Sequence, residues 1–237
     1  MANIALLLAG GSGNRMNQDL PKQFLTVNER PVIIYTLEAF EKHPEIDAIA
    51  VVCIEGWEQV LWAYAKQFNI CKLKHVIPGG NSGQESICNG VMELEKHYKP
   101  SDYVLVHDAI RPMISAEIIS DSLRVARECG NAITVIPCAE AMIQTEDGES
   151  SAGAYPREHL KRTQTPQTFR IGDICELHRR AQKAGITNSV ASCTLMIELG
   201  EKVFFSKGSE KNIKLTTVED IDIFKALLAA KRSDWLK

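Results

Sequence analysis

Apolar positions along the chain recur with two different periods. Short aliphatic and β-branched runs fall at Ile4–Leu8, Ala48–Cys53, Leu73–Ile77, Tyr103–Val106 and Ala132–Ile136, the pattern of strands buried inside a sheet. Between them the spacing becomes helical, at Val32–Lys42, Trp57–Phe68, Gln84–Tyr98 and Ser115–Cys129. Strand and helix in alternation predict βαβ units, an α/β fold and a mostly parallel sheet. A last helix is predicted from its start. Thr216 and Glu219 stand at capping-box spacing, and Val218, Ile221, Phe224 and Leu228 fall on one face.

One segment breaks this rhythm. From Ala139 to Thr163 there are few large apolar residues, an Asp147-Gly148 turn signal and the polar run Glu149-Ser150-Ser151-Ala152-Gly153. Such a segment cannot build a core of its own. A long surface loop would account for it, but structureless loops beyond ~12–15 residues are uncommon in compact domains. A projecting hairpin arm that grips a second subunit is the expectation. With no internal repeat or Pro-rich linker, residues 1–237 read as a single domain with this arm at about 139–163.

Composition narrows the classes. The chain has 237 residues, 45% hydrophobic and 24% charged, with a net charge of −3. That charge gives no summed positive field to hold a nucleic-acid backbone or an anionic membrane. Seven cysteines, an odd number without a C-x-x-C pair, read as buried thiols of a reducing compartment. The opening MANIALLLAGG is too short and too poor in basic residues for a secretory signal or a membrane span. A cytoplasmic protein is expected.

Candidate chemistry begins right after the first run, at Leu8-Ala9-Gly10-Gly11-Ser12-Gly13-Asn14-Arg15-Met16, with Pro21-Lys22-Gln23-Phe24 following. Glycines at the carboxyl end of a parallel strand let backbone N–H groups approach an anion. A Walker A loop would need a terminal Gly-Lys-Ser/Thr, and a dinucleotide fingerprint a third glycine where Met16 stands. What remains is a Gly-rich loop with two cations, Arg15 and Lys22, or an ordinary tight turn. The cations suit a triphosphate, because attack at its α-phosphorus builds charge on the equatorial oxygens and the departing diphosphate.

A second cluster, Val104-Leu105-Val106-His107-Asp108-Ala109-Ile110-Arg111-Pro112, is an apolar strand ending in ionisable residues. Ligands of doubly wound sheets sit beyond the strand carboxyl ends, so Asp108 and Arg111 should face the same crevice as the glycines. Asp108 could hold Mg²⁺ or another divalent cation, or cap its own turn with Arg111 as partner; His107 would orient the loop. In the third cluster Lys214 alternates with Ile213 and Leu215. It therefore points away from the core, toward an anion or toward solvent.

The ordered motifs AGGSGNRM, PKQF, GGNSGQESICNG, VHDAIRP, TQTPQTF and EKNIKLTT span essentially the whole chain. In them the sequence resembles the cytidylyltransferases that include the 2-C-methyl-D-erythritol 4-phosphate and ribitol-5-phosphate enzymes. The resemblance implies a Rossmann-like twisted sheet with helices on both faces, a homodimer locked by exchanged β-arms, and CTP as co-substrate. By the same resemblance Ala9, Gly10, Gly11, Gly13, Gly80, Ser86 and Ala109 surround the nucleotide. Arg15 and Lys22 bind its triphosphate, and Asp108 stands near the metal and the acceptor hydroxyls. Arg111, Thr165 and Lys214 match acceptor-phosphate contacts, and Arg157 matches an arm residue that reaches across the dimer. The implied reaction is in-line attack of a polyol phosphate on the α-phosphorus of CTP.

Departures from the pattern fall in substrate-facing regions. Gly83 stands where the family's GGxxR motif has arginine, so the base-binding loop must be held some other way. Ala141 replaces an arm threonine, Asn188 replaces an aspartate, and the stretch Thr187–Gly200 is longer than usual, which leaves the match at Thr187 open. Ala9-Gly10-Gly11 and Gln164-Thr165-Pro166-Gln167 resemble the ribitol-phosphate branch more than the methylerythritol branch. The first branch implies cell-surface polymer synthesis, the second isoprenoid synthesis. A transferase for another nucleoside triphosphate and a non-catalytic interaction protein are the other readings. The convergence of Arg15, Lys22, Asp108, Arg111 and Lys214 argues against the last.

Overall fold

The computed structural model describes residues 1–11 and 20–233, the side chains of 231–233 excepted. Strand β1 (Asn3–Ala9) lies inside the sheet, parallel to β4 (Ala48–Cys53) on one side and to β6 (Tyr103–Asp108) on the other. Its side chains alternate between two cores. Ala5, Leu7 and Ala9 pack beneath α1 (Val32–Lys42), α2 (Glu58–Gln67) and α4 (Ala116–Cys129). Ile4 and Leu6 pack on the other face, against α3 (Gly83–Glu95), α5 (Ile171–Lys183) and α6 (Ser192–Glu198). Burial on both faces is why this strand reads as an unbroken apolar run.

The sheet is completed by β5 (Leu73–Pro78), β7 (Asn131–Pro137), β10 (Lys161–Arg170) and β11 (Phe205–Lys207), in the order β11-β7-β10-β6-β1-β4-β5. All neighbours are parallel except β10, which runs antiparallel to both β6 and β7. The seven-stranded, mostly parallel sheet with helices on both faces agrees with the expected α/β, Rossmann-like class. A small hairpin, β2 (Thr26–Val27) and β3 (Arg30–Pro31), precedes α1.

The irregular segment forms a hairpin, as expected. Strands β8 (Met142–Gln144) and β9 (Gly153–Tyr155) pair antiparallel and join no other strand. Its turn is tied by Asp147, whose Oδ1 accepts the N–H groups of Glu149 at 2.9 Å and Ser150 at 2.8 Å. Met142, Ile143 and Tyr155 are all exposed, Ile143 at 67%.

The last helix, α7 (Val218–Ser233), is present, but its cap lies one residue later than the sequence expectation. Asp220, not Glu219, reaches back, accepting the N–H groups of Thr216 at 2.7 Å and Thr217 at 2.8 Å, while its own N–H reaches Thr217 Oγ1 at 3.3 Å. Thr217 and Asp220 satisfy the same spacing rule as Thr216 and Glu219, so periodicity could not choose between them. With this start Val218 is exposed, while Phe224 is fully buried against Val27, Val32, Ile110 and Leu215.

Candidate active site

The site forms beyond the carboxyl ends of β1 and β6. After Ala9 the chain passes through Gly10, which lies so close to the β5–α3 loop that a Cβ there would come within 3.3 Å of Ser86 Oγ and 3.5 Å of Gly79 Cα. Gln23, fully buried, holds this turn from beneath, its Nε2 donating to the carbonyls of Ala9 at 2.8 Å and Gly11 at 3.2 Å. Next to it Phe24 stacks on Trp57 with ring centroids 4.5 Å apart. The 3-10 turn Lys22–Phe24 is thereby anchored on α2, and Lys22 is placed at the crevice. Arg15 and Gly13 lie outside the described residues.

The opposite wall is the start of α3. Ser82 caps the helix, accepting the N–H of Glu85 at 3.1 Å. Glu85 folds back to accept the N–H of Asn81 at 2.7 Å, and Ser86 Oγ accepts the N–H of Gly80 at 3.0 Å. The loop that lacks an arginine at position 83 is therefore held by the helix's own first turn. Gly80 is needed for this, because a Cβ there would overlap the Glu85 side chain, whereas Gly83 has open space around it. Together these residues line a crevice of about 600 Å³.

Asp108 closes that crevice at its far end. Its Oδ1 accepts from Lys214 Nζ at 3.1 Å and its Oδ2 from Arg111 Nε at 3.0 Å. Burial raises the cost of the carboxylate charge, but Lys214 and Arg111, with His107 behind, outweigh it and hold the pKa below the usual aspartate range. The Asp108 N–H donates to Thr165 Oγ1 at 3.1 Å, and the same hydroxyl lies 3.0 Å from His107 Nδ1. Nε2 lies 3.4 Å from the Arg111 carbonyl, which can only accept, so the neutral ring is assigned its proton on Nε2 and Nδ1 accepts from the Thr165 hydroxyl. Burial drives the His107 pKa down to about 4, so the ring is neutral and structural.

Lys214 reaches this point through a buried clamp. Asn212 donates to Gln164 Oε1 at 3.2 Å and to the Thr165 carbonyl at 2.9 Å, and its own carbonyl accepts from Arg111 at 2.8 Å. A second, narrower pocket of about 160 Å³ opens here, lined by Arg111, Thr163, Gln164, Thr165, Gln167 and Ser192 among others. It shares Leu8, Asp108 and Lys214 with the larger crevice. The two spaces meet at the Asp108–Lys214 pair.

Of the residues expected at the nucleotide, Ala9, Gly10, Gly11, Lys22, Gly80 and Ser86 line the crevice. Ala109 does not. It is fully buried, its N–H bonded to Leu8 and its carbonyl to Thr36, so it supports the floor from within the core. Asp108, Arg111, Thr165 and Lys214 are brought together, but of the expected pair only Asp108 faces the crevice of the glycines; Arg111, turned to Asp108 Oδ2 and the Asn212 carbonyl, lines the narrow pocket instead. Arg157 stays at the base of the arm, donating to the Ala139 carbonyl at 3.1 Å. Sequence reading missed Gln23, Gln164 and Asn212, whose polar side chains carry no periodic signal; their only trace was membership of the quoted motifs.

A metal ion at Asp108 would have to displace Arg111 or Lys214 from its carboxylate. Both its oxygens are engaged by cations, and the described residues include no group of three or more His, Cys, Asp or Glu side chains able to hold an ion.

The sequence model for the family described as IspD, 2-C-methyl-D-erythritol 4-phosphate cytidylyltransferase, matches residues 3–230. The chain is 42% identical over 229 residues to the ribitol-5-phosphate cytidylyltransferase of Lacticaseibacillus paracasei, covering 96% of this chain and 98% of that one. It is 35% identical over 228 residues to the 2-C-methyl-D-erythritol 4-phosphate cytidylyltransferase of Clostridium botulinum, covering 95% and 97%. Among solved structures, the 4-diphosphocytidyl-2C-methyl-D-erythritol synthase of Anaerococcus prevotii superposes with a TM-score of 0.82 at 25% identity, covering 96% of each chain. With the family match running nearly end to end over a crevice lined by the expected motifs, the chain belongs to the IspD family of cytidylyltransferases.

Proposed function

We propose that this cytidylyltransferase joins CTP to ribitol 5-phosphate, giving CDP-ribitol and diphosphate. The carrying observation is that a wide crevice lined by the Gly-rich loop and Lys22 meets a narrow pocket bearing Arg111 and Thr165 at one ion pair, Asp108–Lys214. In-line phosphoryl chemistry needs such a layout, with nucleotide on one side, acceptor phosphate on the other and cations at the joint. The ribitol branch is favoured by relatives of that name at 35–42% identity, against 34–35% for the methylerythritol relatives.

In this reading CTP lies in the larger crevice, with Lys22 and Arg15 neutralising its triphosphate. Lys214 and Arg111 receive the acceptor phosphate, Lys214 exchanging its bond to Asp108 for one to a phosphate oxygen. A phosphate monoester is already a nucleophile at neutral pH, so no general base is required. One of its oxygens forms the new bond to the α-phosphorus as the bond to the diphosphate breaks. The magnesium expected from the sequence would accompany CTP as its phosphate complex, and no step here is routed through it.

We further place the arm at a homodimer interface, supported by its exposed Met142, Ile143 and Tyr155, with Arg157 completing the partner's site. Seven unpaired cysteines, of which Cys71 and Cys129 are exposed and not buried as expected, support a reducing, cytoplasmic setting. No helix among the described residues is long and apolar enough to cross a membrane. The test is diphosphate release with CTP and Mg²⁺, comparing ribitol 5-phosphate with 2-C-methyl-D-erythritol 4-phosphate. Turnover is expected with the first; turnover with the second alone overturns the acceptor, and failure to bind CTP overturns the whole reading.

A further inference from the structure

One residue lining the narrow pocket carries a buried hydroxyl that no described residue satisfies. This is Ser192, which is 2% exposed, yet its Oγ has no hydrogen-bond partner among the described residues. A buried hydroxyl left unpaired costs free energy, and native structures rarely keep one without a reason. Local looseness does not supply the reason, because the segment around it is pinned on both sides. Gln84 accepts the Ser189 N–H at 2.7 Å and donates to the Ile186 carbonyl at 2.7 Å. Thr194 Oγ1 accepts the Ala191 N–H at 2.9 Å, and Gln167 Oε1 accepts the Cys193 N–H at 3.0 Å. Ser189, Ala191 and Cys193 are tied down while the serine hydroxyl is left over.

Its position in the pocket identifies the missing partner. The acceptor phosphate must sit where the two spaces meet, because it attacks a phosphorus held in the larger one. Those shared residues are Leu8, Asp108 and Lys214; Ser192 belongs to the narrow pocket alone. The carbon chain of the acceptor therefore extends from the cations toward the 190–192 segment. The rim there is Val190, an apolar side chain 93% exposed with no charge to offer. A hydroxyl that can both donate and accept matches an alcohol better than an anion. The Oγ is buried as it stands, so it meets a ligand by turning about χ1, and with no bond to break that turn costs little.

We infer that Ser192 is a specificity-determining residue for the acceptor, hydrogen-bonding a hydroxyl of the polyol chain beyond its phosphate. This rests on the assignment of the two spaces to nucleotide and acceptor. It places acceptor discrimination partly in the stretch after Thr187, the region longer than usual for the family, and not only around the phosphate-binding cations.

The experiment compares wild type and Ser192→Ala with ribitol 5-phosphate and with its singly deoxygenated analogues, reading kcat/KM for the acceptor, KM for CTP and the melting temperature. Expected is a loss of about tenfold with ribitol 5-phosphate, the worth of one neutral hydrogen bond, at unchanged KM for CTP. The loss should vanish with the one analogue that lacks the recognised hydroxyl. An equal loss with every analogue, or none with ribitol 5-phosphate, overturns the assignment of Ser192 while the cytidylyltransferase reading stands. Wild-type protein that turns over no polyol phosphate overturns both. An unchanged melting temperature separates recognition from folding.

Discussion

Lys214 Nζ lies 3.1 Å from Asp108 Oδ1, bridging 106 positions of sequence at the boundary between the wide crevice and the narrow pocket. The lysine side chain is 42% exposed and the aspartate only 15%. The pair is thus wet on the cation's side, where a ligand can displace it, and fixed on the anion's side.

Replacing Lys214 by methionine keeps the apolar stem and deletes the charge. The expected result is a loss on the order of 100-fold in kcat/KM for the acceptor, the usual size of a missing charge-stabilising donor. Urea denaturation should register about 1 kcal/mol or less, because half-exposed pairs contribute little to stability and Arg111 still meets Asp108. A stability loss as large as the catalytic one would mean that the lysine is structural.

The neutral His107 gives a pH dependence with a definite sign. Its folded-state pKa is pushed down from 6.5 to about 4 by burial, so between those values the unfolded chain binds more protons than the native one. Stability is then complete above about pH 6.5 and falls with acidification until about pH 4. His178, buried on α5 and also lowered to about 4, adds a similar slope. Each corresponds to about 3 kcal/mol by linkage. His43 and His75, also lowered by burial, add to the same slope; urea midpoints measured from pH 7.5 to 4.5 should fall steeply below pH 6.5, and His178→Asn should flatten part of the fall. A profile that stays level to pH 5 contradicts the neutral-histidine assignment.

Two glycines four residues or fewer from the α3 cap should respond in opposite ways. Gly80→Ala forces a Cβ into Glu85, dislodging the side chain that holds the Asn81 N–H, so KM for CTP should rise about tenfold or more. Gly83→Ala meets open space at the first helical position, and there the reduced freedom of the unfolded chain should add about 0.4–1 kcal/mol. Calorimetry with CTP and thermal melts on both variants make the comparison.

Most of the fold was legible in the sequence because parallel strands buried on both faces announce themselves as apolar runs, as β1, β4, β6 and β7 do. Strand β10 was not legible. Its sequence, KRTQTPQTFR, is polar, since Lys161, Arg162 and Thr163 are exposed at the end toward the arm and Gln164, Thr165 and Gln167 in its middle hydrogen-bond to neighbouring segments. The register with β7 also shifts between Thr163 and Gln167, which erases any period of two. In the site, charged residues were found by their oddity at a strand end, as with Asp108 and Arg111. Gln23 and Asn212 escaped because buried amides that bind backbone carbonyls look, in one dimension, like any surface polar residue.

The division of the lining residues along the chain has an evolutionary consequence. Apart from the Asp108–Lys214 boundary and Ile110, the wide crevice draws on residues 8–86, whereas the narrow pocket draws mainly on residues after 105. Drift in the second stretch can therefore reshape the narrow pocket while the wide crevice is inherited unaltered. A lineage built this way can alter what one pocket accepts by changing half a gene.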